Sequence, residues 1–202
     1  MRLVSLILVF IQMFIGYNTK EVKIDKLINL NYSNVIDRFN HYEYKKMSEY
    51  DILFTEDVVE AYVKNGNTDN WDFDVIGLCS YKEKIIYIDT NSVDNKPSDI
   101  MLHEFGHGLD YSFEKDKYIF SSHNEFQKYI ENYKDIIFQD ENGYKKDSWY
   151  ANYFKEDPIE FFAETYMLYK NEKLLSIDYD AYFDFEKFFD LVLIDNNLYI
   201  KD

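Results

Sequence analysis

Cysteine, proline and glycine are all scarce in this chain. Its 202 residues hold one Cys, two Pro and six Gly. The lone thiol, Cys79, can close no internal disulfide, and it excludes a structural zinc site built on several thiolates. With so little Pro and Gly there is no linker of that composition to divide the chain, and the length suits one domain with a real core. Positive charge is also short. Twenty-two Lys and Arg face 38 Asp and Glu, a formal net charge of -16. That balance excludes nucleic acid as a partner, since phosphate contacts need a basic surface. It favours cationic segments instead, or simply keeps the protein soluble. Long apolar runs are missing apart from Leu3 to Ile15, which follows Arg2 and is broken by Ser5 and Gln12. This run is too short for a comfortable membrane span and suits the core of an export signal. Residues 1–18 are therefore expected to be a signal peptide, with residues 19–202 as the mature domain. No A-x-A-like pair follows the run, so an uncleaved N-terminal anchor is the alternative.

What is abundant is aromatic. Twenty Tyr and 17 Phe argue against disorder and for an aromatic core. Val35, Ile36, Phe39, Tyr42 and Met47 recur at helical spacing within 34–50. Residues 51–55 read as a strand, 58–63 as helix or strand, and 64–70 as a loop. Residues 71–80 suit a strand, or a strand bent at Gly77, and 84–89 is the strongest strand pattern in the chain. Ser122-His123-Asn124-Glu125 is a capping-box pattern opening a helix to about residue 137, and 140–143 reads as a turn. Residues 177–192 form a terminal helix in which Tyr179, Tyr182, Phe183, Phe185, Phe188, Phe189 and Leu191 are expected to pack. His41 and His123 read as surface residues.

The chemistry concentrates in His103-Glu104-Phe105-Gly106-His107, an H-E-x-x-H pattern. At the observed frequencies chance gives such a match on the order of 0.01 times in a chain this long. Asn95, Pro97 and Ser98 supply a helix start, and Ile100, Met101, Leu102, Phe105 and Leu109 its apolar side. On that helix His103 and His107 project from one face and can grip one metal ion. Glu104 is placed to take a proton from water activated there. Gly106 and Gly108 each cost about 1 kcal/mol relative to Ala. Either another element approaches closely or the helix merely tolerates them.

A catalytic zinc site needs a third protein ligand. Asp157-Pro158-Ile159-Glu160 opens a later helix, with Asp157 as N-cap and Pro158 in the first turn. Glu160 fits two readings, the glutamate of a capping box or the missing ligand. Glu164 lies one turn on. Two carboxylates among Phe161, Phe162, Ala163, Tyr166 and Met167 repel unless a cation is near. Glu164 could then orient a ligand histidine.

The H-E-F-G-H-G-L-D-Y and E-F-F-A-E stretches resemble the catalytic domain of the anthrax lethal factor-like zinc metallopeptidases. In size the chain is similar to their small secreted members, the Pro-Pro endopeptidases. The likeness runs from about residue 31 to 192 and includes Trp71-Asp72-x-Asp74-Val75-x-Gly77-Leu78. It implies an α+β, zincin-like metallopeptidase domain with a small mixed sheet, an H-E-x-x-H helix and a helical C-terminal part. It implies one Zn2+ on His103, His107 and Glu160, Glu104 as general base, and Tyr153, seven residues before Glu160, as oxyanion stabiliser. Asp110 and Glu164 would orient ligands. Ile159 and Cys79-Ser80 depart from the family pattern, so a Pro-Pro preference is not inherited.

The expectation is thus a secreted, monomeric zinc metalloendopeptidase acting on a protein or peptide, Pro-rich or cationic. No membrane partner is expected unless the N-terminal segment is retained. Substrate would lie along a strand edge, Cys79–Ser80 or Tyr87–Asp89. The alternatives are a protease-derived binding module that no longer cuts, against which the retained Glu104 argues, and a host-directed effector protease with one folded target.

Overall fold

The computed structural model describes residues 38–67, 75–91, 96–112, 115–139, 142, 144 and 149–198. The signal or anchor at 1–18, Val35, Ile36, loop residues 68–70, Trp71 to Asp74, Asn95 and most of the turn at 140–143 lie outside them. The chain divides into two compact units, Met1–Met101 and Leu102–Asp202.

The first unit is a three-stranded mixed sheet with short helices. Helix α1, His41–Met47, begins at Asn40. Its side chain accepts from the Glu43 amide at 3.0 Å, while Asn40 N–H donates to Glu43 Oε2 at 2.7 Å, a complete capping box. Strand β1, Asp51–Thr55, is followed by α2, Val58–Lys64, capped by Asp57. The ambiguous stretch is thus helical. Strands β2, Gly77–Ser80, and β3, Ile85–Asp89, complete the sheet in the order β1-β3-β2.

Strand β3 pairs parallel with β1, Asp51 opposite Ile85, and antiparallel with β2, Ser80 opposite Ile85. Its continuous apolar run suits a strand covered on both faces, and Ile86, Tyr87 and Ile88 are fully buried. This corrects one expectation. Tyr87–Asp89 offers no free edge, because both of its sides are already hydrogen-bonded to neighbours. The Tyr87 hydroxyl accepts from Asn65 Nδ2 at 2.6 Å and donates to Glu83 Oε2 at 2.9 Å. Burial together with the Glu83 carboxylate pushes its pKa up to about 12.

Helix α3, Pro97–Asp110, carries the H-E-x-x-H residues. Among the described residues the second unit adds a two-stranded ladder, β4 Tyr111–Ser112 with β5 Lys117–Tyr118, and the helices α4 Asn124–Ile137, α5 Trp149–Glu156, α6 Pro158–Lys170, α7 Lys173–Ile177 and α8 Tyr179–Asp195. Its core is aromatic. Phe120 stacks on Phe162 at 4.9 Å and on Phe189 at 4.7 Å, and Phe126 stacks on Phe188 at 5.0 Å. Such pairs each add roughly 0.5–1.5 kcal/mol beyond the area they bury.

Two local expectations change here. The Ser122–Glu125 capping box does not form. His123 is the N-cap of α4, its Nδ1 accepting from the Glu125 amide, while Ser122 Oγ donates to the Tyr118 carbonyl. A ring nitrogen one residue later simply reaches the same amide. In α8 the buried residues are Ala181, Phe185, Phe188, Phe189, Val192 and Leu193, whereas Tyr179 is 65% and Leu191 38% exposed. The helical stripe is narrower than the run of aromatics implied. Among the described residues no helix is long and apolar enough to cross a membrane.

Candidate metal centre

The site is built where α3 and α6 approach within the second unit. A Cβ added to Gly106 would stand 2.9 Å from Ala163 Cα and 3.3 Å from Ala163 Cβ. Glycine at 106 is therefore what lets the α6 backbone come so close, which decides between the two readings of that residue. Glu160 and Glu164 bracket Ala163 by three residues before and one after, so this approach sets both carboxylates opposite His103. Helix α6 is held at its start by Asp157, whose Oδ1 accepts from the Ile159 amide at 2.8 Å, with Pro158 in the first turn. The Asp157 amide, which a capping-box Glu160 would accept from, donates instead to the Tyr153 carbonyl at 3.2 Å. The Glu160 carboxylate goes to the histidines.

Three donor atoms converge. His103 Nε2 lies 3.2 Å from His107 Nε2 and 3.3 Å from Glu160 Oε2, and His107 Nε2 lies 3.5 Å from Glu160 Oε2. Tetrahedral zinc with bonds of about 2.0–2.1 Å holds its ligand atoms about 3.3 Å apart. The observed triangle matches that edge length on all three sides. Two imidazole nitrogens and one carboxylate oxygen, without a thiolate, also form a donor set suited to zinc. The residues fit the metal.

The remaining polar atoms orient these three. His103 Nδ1 faces Glu164 Oε2 at 2.9 Å. A carboxylate only accepts, so Nδ1 carries the proton and, in the neutral ring, Nε2 keeps its lone pair for a cation. Glu164 Oε1 in turn accepts from the Tyr144 hydroxyl. On the other side Tyr153 donates to Glu160 Oε1 at 2.7 Å, leaving Oε2 to the histidines. Phe154 packs edge-on against the His103 ring at 5.7 Å.

The electrostatics are those of a cation site. Burial alone lowers the pKa of His103, but its bonds to Glu160 and Glu164 and the charges of Glu164 and Glu104 outweigh that, and the pKa is raised well above the ordinary histidine value. Burial alone raises the Glu160 carboxyl, but the two histidines reverse the effect and hold it far below the usual carboxylate range. Tyr153 is pushed up by burial and by its bond to Glu160, so it stays a hydroxyl donor. Glu104 is buried, and its charge is felt by both His103 and Tyr153.

Asp110 sits less simply. Its Oδ1 accepts from the amides of Phe120 and Ser121 at 2.7 and 3.0 Å, which pins the chain after β5. Burial raises its pKa, partly offset by these bonds. Its Oδ2 and His107 Nδ1, one helical turn apart, are both buried without a hydrogen-bond partner among the described residues. His41 and His123 stay out of the cluster. Tyr144, like Phe154, is a member of the site that sequence reasoning missed. It lies twenty residues from Glu164, among many tyrosines, and no spacing rule points to it.

The fold and this cluster together define the class: a mixed α+β, zincin-like metallopeptidase architecture with a generic His-Glu-x-x-His site and a distant glutamate. The chain matches no family model, and no curated protein matches it.

Proposed function

We propose that this protein is a secreted zinc metalloendopeptidase of the lethal factor-like type, hydrolysing peptide bonds in a protein substrate. The observation that carries the reading is the triangle of His103 Nε2, His107 Nε2 and Glu160 Oε2 at zinc-ligand spacing, with Glu104 buried beside it. Zinc bound by these three would supply Lewis acidity, polarising the scissile carbonyl and acidifying water. Glu104, buried beside the triangle, takes the proton of the attacking water and delivers it to the leaving amine. Tyr153 is 42% exposed and keeps its proton, so its hydroxyl can exchange Glu160 Oε1 for the carbonyl oxygen as negative charge develops there. Glu164 holds the proton on His103 Nδ1, and Asp110, which pins the chain after β5 through the Phe120 and Ser121 amides, would orient His107 from one turn further along α3.

Secretion rests on the apolar run after Arg2, and a single catalytic domain over 19–202 on the order of the two motifs. A net charge of -16 favours cationic peptide segments.

The test is digestion of a diverse peptide library with and without a chelator, reading cut sites by mass spectrometry. Chelator-sensitive cuts are expected. Replacing Glu104 by Gln is expected to lower turnover about 10²–10⁴-fold with zinc still bound. Full activity in that variant would remove Glu104 from the mechanism. No cuts from zinc-loaded wild type would leave a binding module or a protease with one folded target.

A further inference from the structure

A tyrosine outside both sequence motifs reaches the metal centre through one carboxylate. The Tyr144 hydroxyl donates to Glu164 Oε1, and the other oxygen of the same carboxylate, Oε2, accepts from His103 Nδ1 at 2.9 Å. A carboxylate with one oxygen unheld can rotate or offer either lone pair. With both oxygens engaged, its plane is set, and so is the imidazole that leans on it.

Tyr144 is itself well held. Its amide donates to the Gln139 carbonyl at 3.2 Å, and Asn142 Nδ2 caps the end of α4 by donating to the Ile136 and Ile137 carbonyls at 2.8 and 3.1 Å. The Tyr144 ring packs edge-on against Phe138 at 4.8 Å and Phe154 at 6.4 Å. Phe154 meets the His103 ring in turn. The histidine is therefore braced twice from the same residue, once through Glu164 and once through a ring.

We infer that Tyr144 is a positioning residue for the metal centre, which fixes Glu164 and through it the tautomer and orientation of His103. Its hydroxyl donates to the carboxylate that stands behind His103, so its action is on affinity and alignment. The inference rests on the metal-site reading above.

The test uses the full-length protein and zinc alone as probe. Zinc affinity is measured by competition with a chromogenic chelator in wild type, Tyr144→Phe, Glu164→Gln and the double variant. Tyr144→Phe keeps the ring packing and removes only the hydroxyl. Zinc affinity is expected to fall about tenfold in it, the lower end of what losing a partner behind a ligand costs. In the Glu164→Gln background the same change is expected to add less than twofold, because the hydroxyl acts through that carboxylate. In the metal-free protein, the hydrogen-bonded Nδ1 proton of His103, followed by NMR in 15N-histidine-labelled protein, is expected to exchange faster in Tyr144→Phe. Tyr133→Phe, which loses a hydroxyl bonded to Asp184, is the control and is expected to bind zinc like wild type.

Unchanged affinity and unchanged Nδ1 exchange in Tyr144→Phe would overturn the inference alone. A full tenfold loss persisting in the Glu164→Gln background would overturn the route through Glu164. Wild type that binds no zinc would overturn the metal reading and this inference with it. If Tyr144→Phe fails to fold, the Nδ1 proton of Glu164→Gln decides. Slow exchange as in wild type contradicts the relay, and fast exchange upholds its Glu164 step.

Discussion

Two helices, one in each unit, open on the same four-residue signal and use its glutamate in opposite ways. In the first unit Asn40 to Glu43 closes a reciprocal capping box, and the buried Glu43 carboxylate turns back onto the Asn40 amide of its own helix. In the second, Asp157 to Glu160 has the same form, yet only the cap half is made, to Ile159, and Glu160 reaches out to His103 and His107. The difference lies in what stands opposite. Facing Glu160 are two imidazoles brought near by the Gly106–Ala163 contact, and a charged acceptor for two histidines outweighs one backbone bond. A local signal is thus a bid that a stronger long-range partner can override.

The largest way to sharpen that contrast is to remove each glutamate. Glu160→Ala is expected to lower zinc affinity at least about a hundredfold, beyond the range for residues behind the ligands, while α6 keeps its Asp157 cap. Glu43→Ala is expected to leave zinc affinity unchanged and cost about 1–2 kcal/mol of stability, read as a lower melting temperature. If Glu43→Ala affected zinc binding and Glu160→Ala affected only melting, the two roles would be reversed.

Next comes the contact that makes the difference. Gly106→Ala improves helix propensity by about 1 kcal/mol, but the new Cβ meets α6 backbone, which yields only by moving. A net loss of about 1–3 kcal/mol is expected from overpacking, with weaker zinc binding as Glu160 retreats. A more stable variant with unchanged affinity would show that the close approach is not needed.

The smallest effect is in protons. With its pKa raised, metal-free His103 keeps its proton above pH 6.5, the ordinary value. Its contribution to the stability of the metal-free fold is fully present below that pH and is lost as pH rises through the folded value. Zinc must displace this proton, so affinity is expected to climb with pH across neutrality. About one proton per zinc should be released near pH 7, measured by calorimetry in buffers of different ionisation enthalpy. Glu160, held low, remains a carboxylate throughout that window and releases none. Zinc binding without proton release would contradict the pairing of His103 with the two glutamates.

Much of this was written in the order of residues alone. The spacing of His103 and His107, the start of α3 at Pro97, the cap at Asp157, the strand at 85–89 and the abundance of aromatics for a core all follow from short-range rules of period, propensity and capping. What those rules left open were choices between partners far apart in sequence. The same local pattern allowed Glu160 to cap or to ligate, Gly106 to be tolerated or required, and β3 to be an edge or a centre. Distance settled each: two histidines 57 and 53 residues away, a helix backbone 57 residues away, and strands on both sides. Tyr144 had no local pattern at all, because a hydroxyl on a connecting segment gains its role only from the carboxylate that packing places beside it.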